Sequence, residues 1–206
     1  MHKGLAAGGA GQGVVGGGRL DLLVDRSDEL APESEASMTV AIRPETDQDK
    51  SSIRKVNQAA FDGDDEANLV DALRDGGFVD VSLVAEKDGE IVGHILFSRV
   101  AIVTKVGTMD ALSLAPMAVM PHCQRQGIGS RLVEAGLKAC QSSHKIVVVL
   151  GHPEFYPRFG FSAEIARPLE SPFGGGEAWM ALALIPGALD GVAGRVEFSL
   201  PFMALP

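Results

Sequence analysis

Residues 114–131 read LAPMAVMPHCQRQGIGSR. Within them, Gln124-Arg125-Gln126-Gly127-Ile128-Gly129 places two glycines where a helix should begin. The backbone N–H groups from Arg125 to Ser130 can then converge on one point with no side chain in the way, at the positive end of a helix dipole. That is an anion cradle, and Arg125 and Arg131 add charge beside it. Side chains able to move a proton are few. Tyr156 is the single tyrosine, and His94 sits in an apolar, strand-like run. An imidazole titrates in a range suited to proton transfer, but in such a run it can equally be a hydrogen-bonded core residue. Asp110 and Ser113 are weaker candidates on the approach to the cradle, and Cys123 adjoins it.

The elements that must hold these groups follow from pattern. Thr39 to Arg43 alternates as a strand that ends at Pro44, and Thr46 or Asp47 can cap a helix whose apolar residues Ile53, Val56, Ala60 and Phe61 recur at helical spacing. Asp64, Asp65 and Glu66 open a second helix with Leu69, Val70 and Leu73 on its buried face, and Gly76-Gly77 stops it. Residues 81–86 and 91–102 are strands joined through Asp88-Gly89, a hairpin signal, and a turn at 105–108 leads into a third strand over 110–120. Pro116 cannot donate to a ladder, so this antiparallel meander should carry a bulge or break there and open a gap in the sheet. After the cradle, Ile128, Leu132, Ala135 and Ala139 mark a helix face, and residues 145–150 form a strand buried on both faces. Strand, helix, strand in that order predicts a parallel, right-handed crossover. Residues 151–161 hold a short helix between prolines, residues 177–185 form a last strand, and residues 187–206 read as a tail lying across the core. The fold class is α/β with a mixed sheet.

Composition narrows the function. With 206 residues and 46% hydrophobic content the chain can build one sizeable core. A net charge of -9 with no offsetting basic stripe argues against nucleic acid or an anionic membrane surface as partner. Cys123 and Cys140 match no disulfide or metal spacing, so free thiols in a reducing cytoplasm and no metal are expected. The longest apolar run is well short of the about 20 residues a bilayer span needs.

Residues 1–37 are Gly-rich, then acidic, and read as a disordered leader ahead of a domain over 38–206. Gly11-Gln12-Gly13-Val14-Val15-Gly16 spells the dinucleotide pattern G-x-G-x-x-G. No strand precedes it and no helix follows, so the pattern lacks its physical context.

The order β-α-α-β-β-β-α-β-α-β-β over residues 38–185 resembles the GCN5-related N-acetyltransferase (GNAT) family. Three motifs carry the resemblance: Gln124, Gly127 and Gly129 in the family's Q/R-x-x-G-x-G/A, the preceding Val119-Met120-Pro121, and Phe155-Tyr156 with Phe159-Gly160-Phe161 after the next strand. A narrower similarity, to a bacterial subgroup described as YhbS-like, rests on LAPMAVMP, on Gly93-His94-Ile95 with Phe97-Ser98, and on Ile185-Pro186-Gly187-Ala188-Leu189. That subgroup usually carries an acidic residue in its last core strand, where this chain has Ala183.

The resemblance implies acetyl-CoA as co-substrate. Gln124, Arg125, Gln126, Gly127, Ile128, Gly129 and Ser130 would take the pyrophosphate, and the backbone of Met117, Ala118 and Val119 would pair with the pantetheine arm and polarise the thioester. Transfer to a primary amine needs an acid for the departing thiolate and a route for the amine's proton. The family pattern gives the first role to Tyr156 and leaves Glu66 and His94 as candidates for the second. The acceptor is open: a small amine, a peptide or protein N-terminus, or a lysine. The alternative is an acyl-CoA-binding module without turnover. The apolar segment 198–205 would suit either a homodimer interface or a tail folded on its own core.

Overall fold

The structure, a computed structural model, describes residues 39–204; the leader expected over residues 1–37 lies outside them. Its centre is a mixed sheet in the order β1-β2-β3-β4-β5-β7, built from β1 (Ala41–Pro44), β2 (Val79–Lys87), β3 (Glu90–Thr104), β4 (Gly107–Val119), β5 (Ile146–Leu150) and β7 (Trp179–Ala183). Two short strands, β6 (Leu169–Glu170) and β8 (Gly194–Glu197), join at one side. The helices are α1 (Lys50–Phe61), α2 (Asp65–Asp75), α3 (Ile128–Cys140) and the single turn α4 (Ala163–Ala166).

The meander forms as its turns dictate. Asp88 and Gly89 both take positive φ, 54° and 81°, the geometry that matches the twist of a two-residue hairpin. Between β3 and β4, Ile95 faces Met117 and Phe97 faces Leu114, so Ala115 and Pro116 together oppose Leu96. The bulge falls where Pro116 requires it. The crossover through α3 is also present: β5 runs parallel to β4, but pairs only at Leu112 with Val147 and Ser113 with Val148. Beyond Ser113 the two strands part.

Period-two alternation sorts the sheet's side chains between two helical layers. Leu83, Ala85, Ile95 and Phe97 pack with Leu132, Val133 and Leu137 of α3. Val84 and Leu96 pack with Ile53, Leu69, Val70 and Leu73 of α1 and α2.

Three sequence expectations are corrected. Ala60 and Phe61 do not join the buried face of α1; the helix closes at Asp62 in the left-handed region, and Phe61 overhangs with 42% exposure. On α3, Ala139 faces solvent, and the inward stripe runs through Val133, Gly136, Leu137 and Cys140. The cause is Gly136: a Cβ there would lie 2.3 Å from Phe97 Cε2, so the glycine lets α3 settle directly on that ring. Gly136→Ala is expected to destabilise the fold by about 2 kcal/mol, overpacking outweighing the gain in helix propensity, as read from urea unfolding midpoints. Finally, residues 187–206 are more than a covering tail. Gly194–Glu197 pairs antiparallel with residues 101–104 of β3 and parallel with β6, and a Cβ on Gly194 would lie 2.3 Å from the Val103 carbonyl oxygen. Past β8, Phe198 and Phe202 stack at 5.1 Å, and Phe202 is buried in the α1–α2 core, so the described part of the apolar tail folds on its own chain.

Candidate active site

The parting of β4 and β5 makes a cleft of about 560 Å³. Its lining comes from Ala60 and Phe61 of α1, Met117, Ala118 and Val119 of β4, the loop residues Cys123, Gln124, Arg125 and Gly127, Gly129 and Ser130 of α3, and His152, Phe155 and Arg158 after β5. Eight of the ten residues expected to hold a cofactor therefore meet in one place with their side chains or Cα atoms. Gln126 and Ile128 do not line it: Gln126 Nε2 donates to the His122 carbonyl at 3.0 Å and Ile128 is a core residue. Both still contribute main chain.

The loop's geometry follows from two residues. Gly127, at φ 82°, is the residue before the first turn of α3, and Gln124 Nε2 donates to the Val119 carbonyl at 3.0 Å, which ties the loop to the end of β4. Gly127 adopts that conformation without the steric cost an L-residue would meet. The result is a fan of donors: the N–H groups of Arg125, Gln126, Gly127, Ile128, Gly129 and Ser130 have no acceptor among the described residues, and the first paired amide is Arg131 N–H, to the Gly127 carbonyl at 3.1 Å. On the facing wall, Met117, Ala118 and Val119 pair with Ile95, His94 and Gly93 on one side only. Their other edge borders the gap.

Of the two arginines expected beside the cradle, Arg125 lines the cleft, with φ 64°. Arg131 does not: its guanidinium donates to the Val40 carbonyl and ties α3 to the start of the sheet. Arg158 and His152, not singled out from sequence, line the cleft instead. Neither belongs to the glycine motif, and only the fold of the segment after β5 brings them there.

Tyr156 is 6% exposed, with its ring against Gly151, where a Cβ would lie 2.3 Å from Cε2, and edge-on to Phe155 at 5.1 Å. Burial pushes its phenol up to about 12, so it stays protonated, and its hydroxyl has no partner among the described residues. Glu66 sits in the first turn of α2, partly buried and outside the cleft lining.

His94 is fully buried and reaches no part of the cleft. Its parity on β3 points it at the α1–α2 layer. There Asn57 Nδ2 lies 3.3 Å from Nδ1, and Ser82 Oγ lies 3.0 Å from Nε2. Ser82 donates onward to Glu45 Oε2 at 2.5 Å, and Arg74 donates twice to the Glu45 carboxylate, at 2.9 and 3.0 Å. This sets the proton on Nε2. Glu45 is 3.7 Å from that nitrogen, beyond a hydrogen bond, with the Ser82 hydroxyl bridging them. Burial pulls the His94 imidazole below its usual range despite the nearby carboxylate, so it is neutral. The network is a pin between layers rather than a base in contact with substrate.

Among the described residues no cluster of His, Cys, Asp or Glu is placed to hold a metal, no helix is long and apolar enough to cross a membrane, and both cysteines are unpaired.

A sheet splayed between two parallel strands, with a free strand edge on one side of the gap and a glycine fan at a helix N-terminus across its mouth, defines the class of the acyl-CoA N-acyltransferase fold. Comparison with known proteins agrees. Residues 79–163 match the family model described as acetyltransferase (GNAT) domain. The chain is 35% identical over 160 residues to the uncharacterized N-acetyltransferase YhbS of Escherichia coli K12, covering 76% of this chain and 95% of that one. The crystal structure of YhbS from Escherichia coli in complex with CoA superposes with a TM-score of 0.77 at 32% identity, over 84% of this chain and 97% of that chain. A GNAT acetyltransferase from Brucella melitensis in complex with acetyl-CoA gives 0.67 at 34% identity, over 80% and 99%. The chain belongs to the GNAT acetyltransferase family.

Proposed function

We propose that the protein transfers the acetyl group of acetyl-CoA to a primary amine by direct attack within a ternary complex. The observation that carries this is the six-amide fan facing the unpaired edge of Met117 to Val119 across one cleft. The fan suits a pyrophosphate and the edge suits the two amides of a pantetheine arm. Relatives whose crystal structures are described as complexes with CoA and with acetyl-CoA support the same donor.

In this reading an N–H of the β4 edge donates to the thioester oxygen as charge gathers there. Tyr156 does not itself line the cleft but directly follows Phe155, which does; kept protonated by burial, it is the group this reading assigns to protonate the departing CoA sulfur. Glu66 and His94 lie outside the cleft lining, so the acceptor amine gives up its proton to solvent water or to His152, the imidazole among the lining residues. Phe61 and Ala60, at the overhanging end of α1, face the acceptor's side of the cleft.

Free-thiol release from acetyl-CoA against pooled amines, amino-acid N-termini and short peptides tests the reading; no release with any pool, at saturating acetyl-CoA, counts against it. Tyr156→Phe separates an enzyme from a binding module. An enzyme should lose roughly a hundredfold in kcat while the Kd for CoA holds, the usual scale for a lost general acid. If turnover is the same in both proteins, Tyr156 has no part in the transfer.

A further inference from the structure

Arg158 is the cation that the glycine motif does not announce. It lies in the short 3-10 helix Tyr156–Phe159, and its guanidinium carbon stands 5.1 Å from the Phe155 ring centroid and 5.4 Å from that of Phe159. Its Nη2 donates to Ser130 Oγ at 2.6 Å. Two aromatic faces and a neutral hydroxyl therefore hold it in place, and no carboxylate among the described residues lies within ion-pair reach of it. Other arginines of this acidic chain are spent: Arg43, Arg54, Arg74 and Arg195 on carboxylates, Arg131 on the Val40 carbonyl. Arg158 is held, uncompensated, on the wall of a cleft.

Its anchor gives the address. Ser130 is the third residue of α3, so its hydroxyl stands within the first turn whose N–H groups are unpaired. An anion seated on those amides would meet the guanidinium held at Ser130, and a planar guanidinium can take two phosphate oxygens at once. Resting on the acyl-CoA reading above, we propose that Arg158 binds the pyrophosphate of the donor, flanking the glycine fan at Ser130. The 3′-phosphate and adenine of CoA are not its ligands. The phenyl rings of Phe155 and Phe159 hold the charge at the cleft before the donor arrives, which lowers the ordering cost at binding.

The test is the Kd of three ligands for wild type and Arg158→Gln. They are CoA, dephospho-CoA, which lacks only the 3′-phosphate, and S-acetylpantetheine, which lacks the pyrophosphate. Arg158→Gln should weaken CoA and dephospho-CoA alike, by about tenfold, and leave S-acetylpantetheine unchanged; the affinity of wild type for CoA should also fall more steeply with added salt than that of the variant. Arg158→Lys should recover part of the loss. A loss confined to CoA would assign Arg158 to the 3′-phosphate and overturn the proposal. So would equal affinity of the two proteins for CoA, or a matching loss for S-acetylpantetheine, which would mean that Arg158 acts by shaping the cleft through the two phenyl rings. Failure of wild type to bind CoA at millimolar concentration would instead remove the acyl-CoA reading itself.

Discussion

Gly129→Glu is expected to abolish the rise in Tm that acetyl-CoA gives the wild-type protein. At a ligand concentration of one hundred times Kd, binding adds about 2.7 kcal/mol to stability, which for a domain of this size raises Tm by roughly 5–10 °C. In the variant a carboxylate would project from the first turn of α3 into the amide fan, where it occupies the donors and repels phosphate. The expected loss in affinity is at least about a hundredfold, or about 2.7 kcal/mol. The fold should tolerate the change. A Cβ at Gly129 would meet Met117 Sδ at 3.5 Å and Phe155 Cζ at 3.7 Å, ordinary contacts, so Gly129→Ala serves as a control that unfolds like wild type. Gly127→Asp would act in the same direction but confounds the measurement, because a side chain at φ 82° carries its own conformational cost of about 1 kcal/mol. Differential scanning fluorimetry with and without acetyl-CoA decides; a retained shift in Gly129→Glu would mean that the cradle is not where the donor binds.

A second large effect is a loss of stability on mild acidification that belongs to His94. Its folded-state titration is pulled below the usual 6.5 by burial, while Glu45 pulls the other way and Arg74 adds to the lowering. Among the described residues, Glu45, just after β1, and Arg74, on α2, are the charged groups that act on the ring. Because the folded form holds the imidazole neutral, the unfolded chain binds the extra proton. Stability is therefore full above pH 6.5 and falls as pH drops, approaching about 1.4 kcal/mol per pH unit for one proton. His94→Gln should be less stable at pH 8 but show a flatter pH dependence between pH 6.5 and 5. Urea unfolding at a series of pH values reads the slope; parallel curves for the two proteins would show that the ring is not held neutral. Glu45 governs a lower window. Burial raises its carboxyl, but contacts with His94, Arg74 and Ser82 outweigh burial and bring it to about 2 from 4.5. Its contribution, on the order of 3 kcal/mol, is present above pH 4.5 and lost as pH falls toward 2.

Groups read from the main chain were legible in the sequence, and groups whose side chains choose among partners were not. Two glycines at a helix start and a proline inside a strand constrain φ, ψ and hydrogen bonding directly, so the amide fan and the bulge at Ala115 and Pro116 followed from residue type. The gap between β4 and β5 followed with them. Arginines are different, because a long flexible side chain reaches whatever the tertiary fold offers. Arg131 found the Val40 carbonyl and Arg158 found Ser130, and nothing local distinguishes the two. His94 turned on strand parity: even-numbered residues of this part of β3 face α1 and α2, away from the gap. Its burial was foreseen as one of two readings, and the sheet decided it. β8 was missed because GRVE is four residues long, begins with a glycine and shows no alternation worth a strand. Gly194 is there for close approach to Val103, which a propensity argument counts against it.

That last strand has a consequence for how the protein is made. The far end of β3, from Ala101 to Thr104, obtains its second neighbour only from residues 194–197. During translation, therefore, β3 leaves the ribosome with the last four residues of one edge bare, and they stay bare while most of the remaining chain is synthesised. An unpaired edge recruits other strands. A nascent or prematurely terminated chain ending before Gly194 would carry the whole donor cleft and still be prone to pair with its neighbours, so production from such shortened genes should yield inclusion bodies rather than a smaller working protein.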